Sequence, residues 1–131
     1  MSHPQRSVTE VHNQKLSHLG EAIAAEYVQS VGMRILHRNW HTRFCEVDLI
    51  ALDGDCLVFI EIKTRATDRF LDPSAAVDHK KRRRLWRAAE AYIAFERPSF
   101  EGCRFDVISV TAGRGPAMVR HTPSAFQDTL G

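Results

Sequence analysis

The stretch Glu46-Val47-Asp48-Leu49-Ile50-Ala51-Leu52-Asp53-Gly54-Asp55-Cys56-Leu57-Val58-Phe59-Ile60-Glu61-Ile62-Lys63 is two apolar runs joined at Asp-Gly, with acids set inside both. Short runs rich in Val, Ile and Phe on either side of Asp-Gly read as a β-hairpin. With Asp53 and Gly54 as the loop residues, Leu52 faces Asp55, Asp48 faces Phe59 and Glu46 faces Glu61. Glu46, Asp48, Glu61 and Lys63 then project from one face, which also carries Phe44, Ile50, Leu57 and Phe59. A slip of one residue would put Asp48 and Glu61 on opposite faces.

Acids on so apolar a face are costly to desolvate unless something compensates them. Glu46-x-Asp48 alone reads as a solvated face, and Glu61-x-Lys63 alone as a simple ion pair. Together they place three carboxylates against one lysine, which a buried salt-bridge cluster would leave unbalanced. A divalent cation, Mg²⁺ or Mn²⁺, repairs the imbalance, with Asp48, Glu61 and Glu46 as its ligands. Beside it, Lys63 can hold an attacking water or stabilise charge on a pentavalent phosphorus.

The rest of the 131 residues bounds the answer. Hydrophobic residues make up 44%, which suits a folded core rather than disorder. Residues 1–13 lack an apolar period and read as a flexible tail, leaving 14–131 as one domain. No apolar run approaches a membrane span and no secretory signal is visible. Three cysteines without metal-type spacing read as small buried hydrophobes in a reducing cytoplasm. The seven histidines show no paired spacing such as i, i+4 on a helix and read as surface or turn residues. Trp40 and Trp86 read as packing groups.

Leu16, Leu19, Ile23, Tyr27 and Val31 recur at helical spacing, closed by Gly32. Met33–His37 reads as a strand ahead of the hairpin. After a polar loop over 65–73, with Pro73 and Ser74 as helix-start chemistry, a long helix runs from near Asp78 to Glu96, before Pro98. Cys103–Val110 alternates as a strand. Ala117–Arg120 reads as a short last strand, and Ser124–Leu130 as a terminal helical turn. The order αβββαββ predicts an α/β three-layer sandwich, a central mixed sheet flanked by helices. The second helix is its crossover.

That second helix opens with Lys80-Lys81-Arg82-Arg83-Arg84 and Arg87. Lys80, Arg83, Arg84 and Arg87 share one side of it, while Leu85, Ala88, Ala89, Tyr92 and Phe95 share the side that packs. A charge run is ordinarily a solvated face. Here no acid interrupts it, so contact with a phosphate backbone is the better reading. Lys80, Lys81, Arg83, Arg84 and Arg87 are the candidate contacts, extended by Arg65, Arg69, Arg38 and Arg43. A membrane-surface patch lacks the exposed apolar anchor it would need.

The assembled pattern resembles the small bacterial YraN-like (UPF0102) family. The matching stretches are Gly20-Glu21, Gly32 to Leu36 with Asn39, Glu46 to Ala51, Val58 to Arg65, Ala76-Val77, Lys81 to Leu85 and Arg104 to Val107. The resemblance implies the restriction-endonuclease-like fold of the PD-(D/E)xK nucleases, with similarity to archaeal Holliday junction resolvases. It puts Asp48, Glu61 and Lys63 at the catalytic positions and adds Glu21, which the apolar stripe of the first helix leaves outside. It implies a nucleic-acid partner, DNA first, and includes a homodimer among the expected assemblies. Cys45 stands where the family usually has Gly, Leu71 stands where Gly usually follows Phe70, and no proline precedes Asp48.

Two functions are expected from these residues: a metal-dependent endonuclease on branched DNA, or a non-catalytic nucleic-acid-binding module with a vestigial metal site. An interaction domain for an acidic protein is a plainer third.

Overall fold

The computed structural model describes residues 8–66, 78–113 and 115–126, with side chains from residue 14 onward. The chain runs α1 (Val8–Ser30), β1 (Arg34–His41), β2 (Glu46–Asp53), β3 (Cys56–Arg65), α2 (His79–Glu96), β4 (Gly102–Thr111) and β5 (Met118–Phe126). The strands form one sheet in the order β1-β2-β3-β4-β5. All neighbours are antiparallel except β3 and β4, which α2 joins in parallel as a crossover. The architecture is therefore the expected α/β three-layer sandwich. Pro73, Ser74, Arg69, Phe70, Leu71 and Ala76-Val77 lie outside the described residues.

Two apolar clusters hold the layers. On one face Ile50, Leu57, Phe59, Phe105 and Val107 pack under Leu85, Ala88, Ala89 and Tyr92 of α2. On the other, Leu49, Val58, Ile60 and Ile108 meet Ala24, Ala25 and Val28 of α1. β3 alternates between the two faces and is covered on both, which explains its near-continuous apolar run. Trp40 sits edge-on to Tyr92 at 5.4 Å and Trp86 lies 5.6 Å from Phe105, so both tryptophans pack.

Asp78 caps α2 by accepting from Lys81 N–H, and the helix stops at Arg97, where φ is 47°. Phe95, less than one turn beyond the buried Tyr92, is 77% exposed rather than packed.

The first helix differs more. It begins at Val8, inside the stretch whose composition reads as a tail, because extending a docked helix costs far less than nucleating one. Its buried line is Gly20, Ala24, Ala25 and Val28, while Leu19 and Val31 are half exposed. The packed face is thus turned by about 100° from the large-residue stripe. Small residues win because α1 lies close on the sheet: a Cβ at Gly20 would collide with the Thr64 side chain. Gly20→Ala is expected to cost about 1–3 kcal/mol as overpacking, read as a lower urea midpoint. Thr64→Ala should recover part of that loss.

β5 extends to Phe126, so residues 124–126 continue a strand rather than begin a helical turn. Pro123 in the run argues against a central strand. β5 is an edge strand, where a missing N–H is tolerated.

Candidate metal and nucleic-acid site

The hairpin closes one step later than Asp-Gly suggests. Asp53 pairs with Cys56 and Leu49 with Ile60, so the loop is Gly54-Asp55, and only Gly54 takes positive φ there. This shifts the register by two residues, which preserves the faces. The ladder ends at Leu49 and Ile60, and Asp48 and Glu61 are the residues just beyond that pair on their strands. Glu46 faces His41 of β1 instead of Glu61. A like-charge pair of Glu46 with Glu61 is thereby avoided, and the acids that meet are Asp48 and Glu61.

Both line an open cleft of about 720 Å³ between β2–β3, the β1–β2 turn and the start of α2. Its other walls include His41, Thr42, Glu46, Lys80, Lys81 and Arg84. Phe44 is 83% exposed at its rim and does not share the covered face. Cys45 is half-buried, with its Sγ 3.2 Å from Thr42 Oγ1. Cys56 is also half-buried and Cys103 exposed, so none of the three is the fully buried hydrophobe expected.

Glu61 is buried, and its Oε1 is contacted by Lys63 Nζ at 3.3 Å and Lys81 Nζ at 2.5 Å. Lys81 therefore turns inward to the acids rather than outward with the basic face. The count of one lysine becomes two. Asp48 accepts from Ile62 N–H at 2.7 Å, which ties its carboxylate across to β3. Burial first, then the charges of Glu61, Glu46 and Glu21, push the Asp48 carboxyl up to about 7. Glu21 thus acts on the site electrostatically: the turned face of α1 brings it toward β3. The signal that finds it is the small-residue line Gly20-Ala24-Ala25, not the large apolar stripe.

The two lysines respond in opposite directions. Burial, then the neighbouring Lys81, lowers the Lys63 pKa. Burial also works against the Lys81 ammonium, but the contacts with Glu61 and Lys63 and the charges of Glu61 and Asp48 together outweigh it, and the Lys81 pKa rises.

A divalent cation fits this donor set. Mg²⁺ characteristically binds through one or two carboxylates and fills its remaining positions with water and substrate phosphate. Asp48 and Glu61 supply two hard oxygen donors, and the raised Asp48 pKa marks negative charge that a cation would relieve. Among the described residues no three acidic, His or Cys side chains close into a ready-made cage. Glu46 and Glu21 remain outlying.

Lys80, Arg83, Arg84 and Arg87 are exposed on α2, and Arg38 and Arg43 on and beyond β1. Arg65 is half-buried at the end of β3. Arg83 contacts His79 at 2.9 Å, and the Arg82 guanidinium lies over the Phe126 ring at 5.4 Å. Of the basic residues, Lys80, Lys81 and Arg84 share the acid-lined cleft. His41 is exposed at the rim of the cleft, as expected of a surface histidine, whereas His37 packs against Tyr92 and His121 joins a largely buried network. No helix among the described residues is long and apolar enough to cross a membrane.

Known relatives agree on one family. The chain is 47% identical over 96 residues to a UPF0102 protein of Mycolicibacterium vanbaalenii, covering 73% of this chain and 79% of that one. It is 40% identical over 116 residues to one from Rhodococcus opacus, covering 88% and 98%. It is 37% identical over 117 residues to one from Geobacter metallireducens, covering 89% and 96%. Residues 20–110, which hold most of both core clusters and every acid of the cleft, match the uncharacterised protein family UPF0102, and the chain belongs to that family.

Proposed function

We propose that this protein is a metal-dependent endonuclease with a restriction-endonuclease-like fold, acting on DNA of branched or otherwise non-standard structure. The observation that carries the reading is the meeting of Asp48 and Glu61, from adjacent strands, in one cleft walled by Lys80, Lys81 and Arg84. Oxygen donors beside cations are the combination that phosphodiester hydrolysis uses.

Asp48 and Glu61 would hold Mg²⁺ or Mn²⁺. The cation, when bound, supplies Lewis acidity and neutralises phosphate charge. The protein's own groups do the rest. Ile62 N–H orients the Asp48 carboxylate. Lys63 Nζ, held against Glu61, is placed to orient a water or meet charge developing on a phosphate oxygen. Lys80 and Arg84 bind backbone phosphates at the cleft wall, and Glu21 and Glu46 raise the local negative potential that draws a cation in.

Incubation with labelled junction, flap, single-stranded and duplex DNA plus Mg²⁺ or Mn²⁺ should show cleavage of at least one, lost in Asp48→Ala. If nothing is cut, or the variant cuts equally well, the proposal is wrong. Lys80→Ala and Arg84→Ala should each reduce the slope of log binding constant against log salt by about one. That expectation is checked by anisotropy titrations between low and moderate salt.

The pairing of Glu61 with two lysines favours a second reading, a non-catalytic nucleic-acid-binding module whose acids serve as internal counter-ions. It requires that binding persist when Asp48 and Glu61 are both replaced and that no substrate be cut.

A further inference from the structure

We propose that Lys81 is a stand-in counter-ion for Glu61, so that cation binding and phosphate binding at the cleft are coupled through it. The inference rests on the reading of the cleft as a metal and nucleic-acid site.

The two ammonium groups on Glu61 Oε1 are not equivalent. Lys63 lies on the same strand as Glu61, two residues on, so strand geometry keeps their side chains adjacent. Lys81 comes from a different layer and reaches across the cleft from the first turn of α2. Its main chain is anchored, because Lys81 N–H donates to Asp78 Oδ1 at 2.9 Å. Its side chain is held at the head group by Glu61 and is 35% exposed, against 26% for that of Lys63. A lysine stem of four carbons can carry such a head group several ångströms about a fixed backbone (on the order of its own length).

A divalent cation between Asp48 and Glu61 would crowd both ammonium groups at Oε1. The outlying Glu21 and Glu46 make the cleft more negative as a whole but do not relieve that local crowding. Lys81 is the group free to leave, and it shares the cleft wall with Lys80 and Arg84. A backbone phosphate held there gives Lys81 a new partner. Phosphate therefore draws Lys81 off Glu61 and opens the carboxylate to the cation, and by linkage the cation favours phosphate equally. Without cation or phosphate, Lys81 keeps Glu61 satisfied; Lys81 is a positioning residue.

The test is calorimetric titration of the full chain with Mg²⁺, alone and with a phosphorothioate oligonucleotide that resists cleavage. In the wild type the oligonucleotide should tighten Mg²⁺ binding about 5- to 50-fold. In Lys81→Met, Mg²⁺ alone should bind several-fold tighter than in the wild type, and the coupling should fall to within about twofold. Lys81→Arg, which keeps the charge, should retain much of it. If Lys81→Met does not melt cooperatively, Lys81→Gln replaces it. Identical Mg²⁺ affinity and coupling in wild type and variant would overturn the inference. Wild-type protein that binds Mg²⁺ and oligonucleotide independently overturns the coupling and leaves the proposed function standing. Wild-type protein that binds neither overturns both.

Discussion

Asp48→Asn should abolish divalent-cation binding and cleavage while making the cation-free protein more stable. The two effects share one cause. Burial, then Glu61, Glu46 and Glu21, push the Asp48 carboxyl from an ordinary 3.8 to about 7. An acid whose pKa is higher folded than unfolded stabilises the fold fully below about pH 4 and loses that contribution as pH rises through 7. At pH 8 the wild type carries an ionised Asp48 at a net cost. The displacement is worth at most about 4 kcal/mol, and on the order of 1–3 kcal/mol once partial solvent screening is counted. Asn removes the charge and still presents an oxygen to Ile62 N–H. Thermal melts should therefore show the variant above the wild type at pH 8 and level with it near pH 4. Saturating Mg²⁺ should reverse the order at pH 8, because ligand at 100 times Kd adds about 2.7 kcal/mol to the wild type alone. A variant less stable than wild type at pH 8 without metal would contradict the account of Asp48.

The acids of this site were legible in sequence because strand parity is insensitive to a two-residue error. Choosing Asp53-Gly54 over Gly54-Asp55 moves every cross-strand partner but leaves Asp48 and Glu61 on the same face. The second helix was legible for a similar reason: Leu85, Ala88, Ala89 and Tyr92 are spaced so that one arc buries them all. Where reading failed, tertiary contact had decided. The large residues of α1 point to one arc, but the close approach of Gly20 to Thr64 selects another, and Glu21 follows it toward the acids. Lys81 belongs to the basic run by composition, but its neighbour across the layers is Glu61, which no local pattern contains. The Pro in β5 conceals the continuation of that strand past Arg120, which its edge position permits.

Asp106→Ala should cost about 3–5 kcal/mol, the range for leaving buried charges without their partner. Asp106 was legible as part of a strand, but the structure shows it almost wholly buried on the α1 face, opposite the face that carries Glu61. It accepts from Arg104 Nε at 3.0 Å, Ser124 N–H at 2.9 Å and His121 Nε2 at 2.7 Å. Arg104 also bridges to Asp53 at 3.0 Å, and His121 Nδ1 meets the Tyr27 hydroxyl at 3.0 Å. The network joins the hairpin end, β4, β5 and α1, and Ser124 takes φ 49° where it donates. Burial alone would raise the Asp106 pKa, but the hydrogen bonds from His121, Arg104 and Ser124 outweigh it and hold the carboxyl below its ordinary value. With the folded pKa below the unfolded one, its stabilisation is complete above about pH 4 and is lost as pH falls through the folded value. The wild type should lose urea resistance steeply between pH 4 and 2, and Asp106→Asn, already weakened at pH 7, should lose less over the same interval. A loss below about 1 kcal/mol for Asp106→Ala, no more than a surface ion pair is worth, would show the network to be dispensable. Because it lies across the sheet from the cleft, Asp106→Asn below its melting temperature should still bind Mg²⁺ with wild-type affinity. Asp48→Asn should show the converse, a firmer fold that binds none, which separates the groups that hold the sandwich together from those that give it chemistry.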